Sequence, residues 1–182
     1  MRTIGVLGAA SIAASALVVP AAVANATTAT PVAQASATSK VGGAIKRSEV
    51  ISRAKYWYDH RGSFSYNMNG SYRDPQGRQY RTDCSGYVSM ALHLSSSLST
   101  VTLPGVGHRV AKKNMHAGDY IGHMGAGTGG AGGHVRLFQK WANSAHTTYW
   151  AYDFGSTPVK HKTYSLSTKG YTAYSYKSIK SG

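Results

Sequence analysis

The sequence predicts an α+β fold, and three observations predict it. Apolar residues at helical spacing are confined to the part before residue 95, alternating runs fill the part after residue 118, and clusters of Gly, Asn and Ser separate the two. Helical segments followed by a run of strands, without interleaving, favour segregated α and β layers over a parallel α/β sheet.

The helical part holds two elements. Ser48 is expected to cap a helix running through Glu49 to about Asp59, with Val50, Ile51, Ala54, Trp57 and Tyr58 as a broad apolar face. Residues 62–81, rich in Gly, Asn, Ser and Tyr, read as a loop. A second helix opens at Asp83 or Cys84, continues through Tyr87, Val88, Met90, Ala91 and Leu92, and is broken by the serines at 95–99. Leu103-Pro104-Gly105 is a turn, and the rest of 101–116 carries no pattern.

The strand part starts where Gly118-Asp119 turns the chain into Tyr120-Ile121. Residues 125–133, almost all Gly and Ala, read as a mobile surface loop; no Lys-Ser or Lys-Thr follows, so this is not a phosphate loop. Strands are expected over 134–142, 147–154 and 159–166, with 171–179 closing the sheet.

Domain organisation follows from composition. Residues 1–26 combine a basic start at Arg2, an uncharged apolar run and small-x-small cleavage patterns, which read as a secretory signal peptide. Residues 27–45 lack large apolar groups and read as a flexible linker. The folded domain is expected over 46–182, secreted and extracellular or wall-associated, as a monomer without an integral membrane segment. The formal charge of +14 favours anionic partners. For an exported protein these are wall polymers, phospholipid surfaces or extracellular nucleic acid. The cations are scattered, with no zinc-finger, helix-turn-helix or RNA-binding signature, so nucleic acid is not expected. No metal or cofactor is expected either.

There is one cysteine. Exported proteins use cysteines in pairs, so a lone one is a buried small hydrophobe, an intermolecular link or a reactive thiol. Its setting is Arg81-Thr82-Asp83-Cys84-Ser85-Gly86-Tyr87-Val88. At the first turn of a helix, free amides and the helix dipole favour a thiolate and can receive an oxyanion. Arg81 adds positive charge, while Ser85 and Gly86 leave the approach open.

Asp83-Cys84-Ser85-Gly86 before an apolar helix resembles the nucleophile motif of NlpC/P60 cysteine peptidases. Residues 116–121 resemble the family's Pro-Gly-Asp turn, with Ala117 where proline is common. Gly133-His134-Val135 resembles its histidine segment, and Phe64-Ser65-Tyr66 its tyrosine-bearing loop. The resemblance spans about residues 46–160. It implies a papain-like core, Cys84 as nucleophile, His134 as base, and hydrolysis of peptide bonds in peptidoglycan stem peptides through a thioester. It also implies that Tyr66 borders the substrate. Two departures bear on bond specificity: a long polar spacer between Tyr66 and Cys84, and Arg136 where a small or apolar residue is usual.

Eight histidines are present, and His134 is set apart by starting an apolar strand after a glycine loop, where it can take the thiol proton. A third polar group should hold its ring. His146 and Asp153 are the candidates. The resemblance favours His146, since many relatives place a histidine about there, but Asn143-Ser144-Ala145-His146 are the best turn formers between the two runs. With Asn143 opposite His146, Val135, Leu137, Trp150, Tyr152 and Phe154 share one face. His134, Arg136 and Asp153 share the other, with Asp153 diagonal to His134. Asp153 is therefore the choice; the competing role for it is an ion pair with Arg136. A basic wall-binding module without catalysis, and a cysteine acyltransferase or amidase, are the other functions the sequence allows.

Overall fold

The computed structural model describes residues 38–182. The expected signal peptide, and the linker up to residue 37, lie outside these. The described chain is mixed α+β, with two helices and a main sheet of six antiparallel strands. No described helix is long and apolar enough to cross a membrane.

Contacts begin earlier than the expected domain start at Lys46. The backbone N–H and hydroxyl of Ser39 donate to the Glu49 carboxylate, and its hydroxyl meets Nδ1 of His93 at 2.9 Å. Ile45 is 2 % exposed and pairs with Ile179, so that β1 (Ile45–Lys46) lies parallel to β10 (Ile179–Lys180). Polar tethering and one buried apolar side chain hold the segment, which is why its composition read as linker.

Helix α1 (Arg47–Asp59) follows β1 directly, and its cap position is Lys46, with no side-chain cap. Ser48 therefore lies inside the helix and does not cap it. The strand pairing fixes the entry point ahead of the better capping residue. Val50, Ala54 and Trp57 are fully buried on the expected face. Arg53 is buried beside them: its guanidinium donates to the Met90 carbonyl at 2.9 Å and to Asp74 at 2.6 Å.

The segment expected as a loop contains a hairpin, β2 (Asn67–Arg73) and β3 (Gln79–Thr82). Most of β2 is exposed, so no apolar alternation marks it. The hairpin is fixed from its ends instead. Asp74 accepts the N–H groups of Gln76 and Arg78 at its turn, and Trp57 Nε1 donates to the Arg73 carbonyl. Tyr72 stacks on Phe64 at 4.3 Å between ring centroids.

Helix α2 (Cys84–Ala91) is buried along its whole length. The main sheet runs in the order β4 (Gly107–Val110), β9 (Thr172–Tyr176), β5 (Tyr120–His123), β6 (His134–Trp141), β7 (Thr148–Asp153), β8 (Lys160–Ser165). The C-terminal strand was expected to close the sheet, but β9 lies inside it, between β5 and β4. Strand β4 comes from the stretch that carried no pattern.

The β6–β7 register is as the turn residues predict near the site: Arg136 faces Asp153 and Leu137 faces Tyr152. Beyond Phe138–Ala151 the pairing shifts to Lys140–Trp150, leaving Gln139 as a bulge. Val135, Leu137, Tyr152 and Phe154 join the helix-side core, whereas Trp150, past the bulge, is half-buried against His161. The opposite face carries a second apolar cluster that includes Ile121, Phe138, Tyr149 and Ala151.

Candidate active site

Cys84 occupies the first position of α2 because Asp83 caps it. Oδ1 of Asp83 accepts the Gly86 N–H at 2.7 Å, so the amides of Cys84 and Ser85 precede the capped one. Arg81, expected to add charge near the thiol, turns its guanidinium to Asp83 at 2.5 Å, to the Ser85 hydroxyl and to the Leu98 carbonyl. Its charge is spent on anchoring the helix start. Gly86 also has a different reason from the one expected: a Cβ there would lie 2.0 Å from the Arg81 carbonyl oxygen. The glycine lets helix and strand approach each other; it does not clear a path to the thiol.

The sheet delivers His134 to this point. It begins β6, directly opposite His123 on β5, and the close passage of the strands depends on Gly122, whose added Cβ would meet the His134 carbonyl oxygen at 2.0 Å. Nε2 of His134 lies 3.0 Å from Oδ1 of Asp153. The N–H axis does not point at that oxygen, which is buried without an aligned hydrogen bond. The Cys84 sulfur is close enough to the ring to raise its pKa alongside Asp153. Cys84, His134 and Asp153 are thus brought together in a line.

Asp153 has more partners than sequence reasoning supplied. Its Oδ2 accepts from Arg136 Nε at 2.9 Å and from the Tyr164 hydroxyl at 2.6 Å. The Arg136 guanidinium in turn lies 3.9 Å above the Tyr164 ring. Both candidate roles of Asp153 are therefore filled at once, one by each oxygen. Tyr164 was missed; its register position facing Tyr149, on the face that carries Asp153, was the available signal. His146 is elsewhere: it stacks on Trp141 at 4.1 Å, and its Nδ1 meets the Lys113 carbonyl.

These contacts set the titration of the pair. Burial disfavours the charged imidazole, but the Asp153 carboxylate and the Cys84 thiol outweigh it and raise the His134 pKa from 6.5 to about 9. Burial alone would raise the Asp153 pKa, yet His134, Tyr164 and Arg136 lower it from 3.8 to about 2. His134 therefore contributes stability that is fully present below pH 6.5 and lost as the pH rises through about 9. The Asp153 contribution is present above pH 3.8 and lost as the pH falls through about 2. NMR titration of the His134 ring should give a midpoint near 9 that falls in Asp153→Asn. A midpoint at the ordinary histidine value in the unaltered protein would reject the pairing.

Tyr66 completes the site. Burial, then Cys84 and Asp83, raise its pKa, so the phenol keeps its proton beside the thiol. Its ring packs edge-on against Phe154 at 5.4 Å, and its N–H donates to Thr157. A cleft of about 200 Å³ opens between Tyr66, Met68, Arg81, Cys84, Thr100 and Gly130. The glycine loop thus forms one wall of the cleft. It is largely exposed, as expected, but Thr128 is 2 % exposed and its carbonyl accepts from the Thr100 hydroxyl.

Gly155 bears on the ring directly. An added Cβ would lie 2.8 Å from Cε1 of His134. Gly155→Ala should lower turnover about tenfold or more by displacing the imidazole, since small misplacements cost orders of magnitude in rate. A Tm within a few degrees of the parent separates this from unfolding; unchanged turnover would show that the ring tolerates the displacement.

No family model, curated protein or solved structure matches the chain.

Proposed function

We propose that this protein is a secreted cysteine peptidase of the NlpC/P60 type, with a papain-like core, that hydrolyses peptide bonds in peptidoglycan stem peptides. The observation that carries this reading is the line of Cys84 at a capped helix start, His134 and Asp153. A purely structural thiol has no need of an imidazole whose charge is held by a carboxylate. The unpaired cations suit adsorption to anionic wall polymers.

In this reading the Cys84 thiolate attacks the scissile carbonyl carbon. The oxyanion that forms is held by the Cys84 N–H and the Tyr66 hydroxyl. His134 gives its proton to the leaving amine, and the C–N bond breaks to leave a thioester. His134 then takes a proton from water, the hydroxide attacks the thioester, and the C–S bond breaks to release the acid and restore the thiolate beside the protonated ring. Asp153 keeps the ring turned throughout and favours its charged form at the start of each turnover.

Incubation with purified peptidoglycan, followed by mass spectrometry of the soluble fragments, tests the reading. Release of peptides cut within the stem supports it; an intact wall after prolonged incubation rejects it. Tyr66→Phe should lower turnover about tenfold, or about 1.4 kcal/mol in the barrier, if its hydroxyl serves the oxyanion. Turnover equal to the parent's would assign Tyr66 to packing against Phe154.

A further inference from the structure

We propose that a groove at the turn end of the β6–β7 hairpin, separate from the cleft at Cys84, binds a polyol phosphate chain through Lys112, Lys113 and Lys140. This goes beyond the peptidase reading and does not depend on it.

Two adjoining cavities make the groove. One, of about 570 Å³, lies between Lys112, Lys113, Thr147 and Leu166. The other, of about 630 Å³, lies between Lys113, Met115, Phe138, Lys140 and Trp141. Lys113 and His146 line both, so the pair suits an extended ligand. The cleft at Cys84 shares no residue with either. The floor is preformed: Met115, Phe138 and Leu166 are buried in the second apolar cluster, and Trp141 packs against it. His146 is held at φ 53°, a left-handed backbone that side chains other than glycine adopt rarely, and its ring stacks on Trp141 at 4.1 Å and 6°. Its Nδ1 meets the Lys113 carbonyl at 3.0 Å, which ties the hairpin turn to the lysine segment.

The charge of the groove is one-sided. No acidic residue lines either cavity. The six acidic residues of the sequence all lie in the described part, and each is held by another partner. Lys113 and Lys140 are exposed and pair with no carboxylate among the described residues. Lys112 donates to the Leu166 carbonyl at 3.3 Å, which leaves two of its three protons for a ligand.

The kind of anion follows from the lining. No arginine is present, so the planar fork that grips a carboxylate with two parallel bonds is missing. Ammonium groups act as point charges, which suits phosphate. Between them the groove presents Ala111, Leu166, Met115 and Phe138, which suits the carbon atoms between phosphates. Trp141 is committed to His146, Phe138 and Tyr149, and is not left as a platform on which a nucleobase stacks. A flexible chain of phosphates and hydroxylated carbons fits these features.

The test titrates a short synthetic poly(glycerol phosphate) into the full protein and follows binding by calorimetry and by the Trp141 indole resonance. Saturable binding at low salt is expected, with a shift at Trp141 and none at Trp57, which is fully buried in the helix-side core. Lys112→Gln, Lys113→Gln and Lys140→Gln together should weaken binding about tenfold or more and flatten the slope of log Kd against log salt by about 2. Lys40→Gln, Lys55→Gln and Lys177→Gln remove the same charge outside the groove and should weaken it less than about twofold. If the first triple variant melts early, Lys113→Gln alone, an exposed change common to both cavities, should still weaken binding about threefold. Equal weakening by the two triple variants would reduce the binding to net charge and overturn the proposal, as would the absence of saturable binding or an unchanged Kd in Lys113→Gln. Equal or tighter binding of polyglutamate, or of a single-stranded oligodeoxynucleotide of the same charge, would overturn the assigned ligand; the first would show a groove that reads charge alone, the second a nucleic-acid site.

Discussion

Cys84→Ala is expected to abolish wall hydrolysis while leaving the domain folded. The sulfur is the nucleophile of the proposed line, so its loss should lower turnover by at least about 10⁴-fold, as for other nucleophiles that act as part of a unit. The structural cost should be small. Cys84 is buried at 5 % exposure, but its position at the start of α2 is fixed by neighbours: the Asp83 cap, the Arg81 contacts and the close packing at Gly86. None of these uses the sulfur. Removing one buried sulfur should cost about 1–2 kcal/mol, against a cap that stays intact. Fragment release from peptidoglycan measures the first expectation; circular dichroism and Tm measure the second. Full activity in the variant would place the nucleophile elsewhere. A collapse of Tm would return Cys84 to the role of a structural thiol.

The features legible in the sequence are those in which local chemistry and tertiary placement agree. Asp83 before an apolar run marks a cap, and the helix starts there. Asn143 lies between two alternating runs and anchors the turn, where the His146 N–H donates to its carbonyl and the Thr147 N–H to its side chain. Next to this turn the strands pair one residue off the predicted register, Trp141 with Tyr149, and the bulge at Gln139 restores it, so that Arg136 faces Asp153 and Asp153 reaches His134. Tyr66 was reached only through a resemblance, since its position depends on Phe154 and Thr157, about ninety residues away.

The illegible features are non-local or polar. The β2–β3 hairpin buries little apolar side chain along β2 and is tied down by Asp74, Trp57 and Arg53, residues spread over two elements. Nothing in Asn67–Arg73 itself announces a strand. Ser48 was the better cap by residue type, but the β1–β10 pairing commits the chain to a helix before Ser48 is reached. Arg53 would be placed on a solvated face by any periodicity argument; burial became tolerable only because Asp74 and the Met90 carbonyl meet its guanidinium. The wall formed by Thr100 and Gly130 is likewise set by contact between distant loops.

Asp153→Ala should reduce turnover about 10³-fold, while His146→Ala should change it less than about twofold. The two oxygens of Asp153 divide its work: Oδ1 faces the His134 ring, and Oδ2 is fixed by Arg136 and Tyr164. Loss of the carboxylate frees the ring to turn and removes the charge that holds its proton. It also leaves Arg136, 14 % exposed, without its counter-ion, and breaking such a pair costs about 3 kcal/mol or more. The alanine variant can therefore lose activity by unfolding, and Asp153→Asn is the necessary companion. Asparagine keeps the volume and an acceptor oxygen for Arg136 or Tyr164 but carries no charge to hold the His134 proton. If Asp153 acts on His134, Asp153→Asn stays folded, the His134 midpoint drops toward the ordinary histidine value, and turnover falls with it. If Asp153 serves only Arg136, Asp153→Asn loses stability while the His134 midpoint and the turnover per folded molecule stay where they were. His146, stacked on Trp141 at the far end of the same hairpin, has no route to either readout, so a large effect there would mean that the histidine line runs through a different part of the sheet.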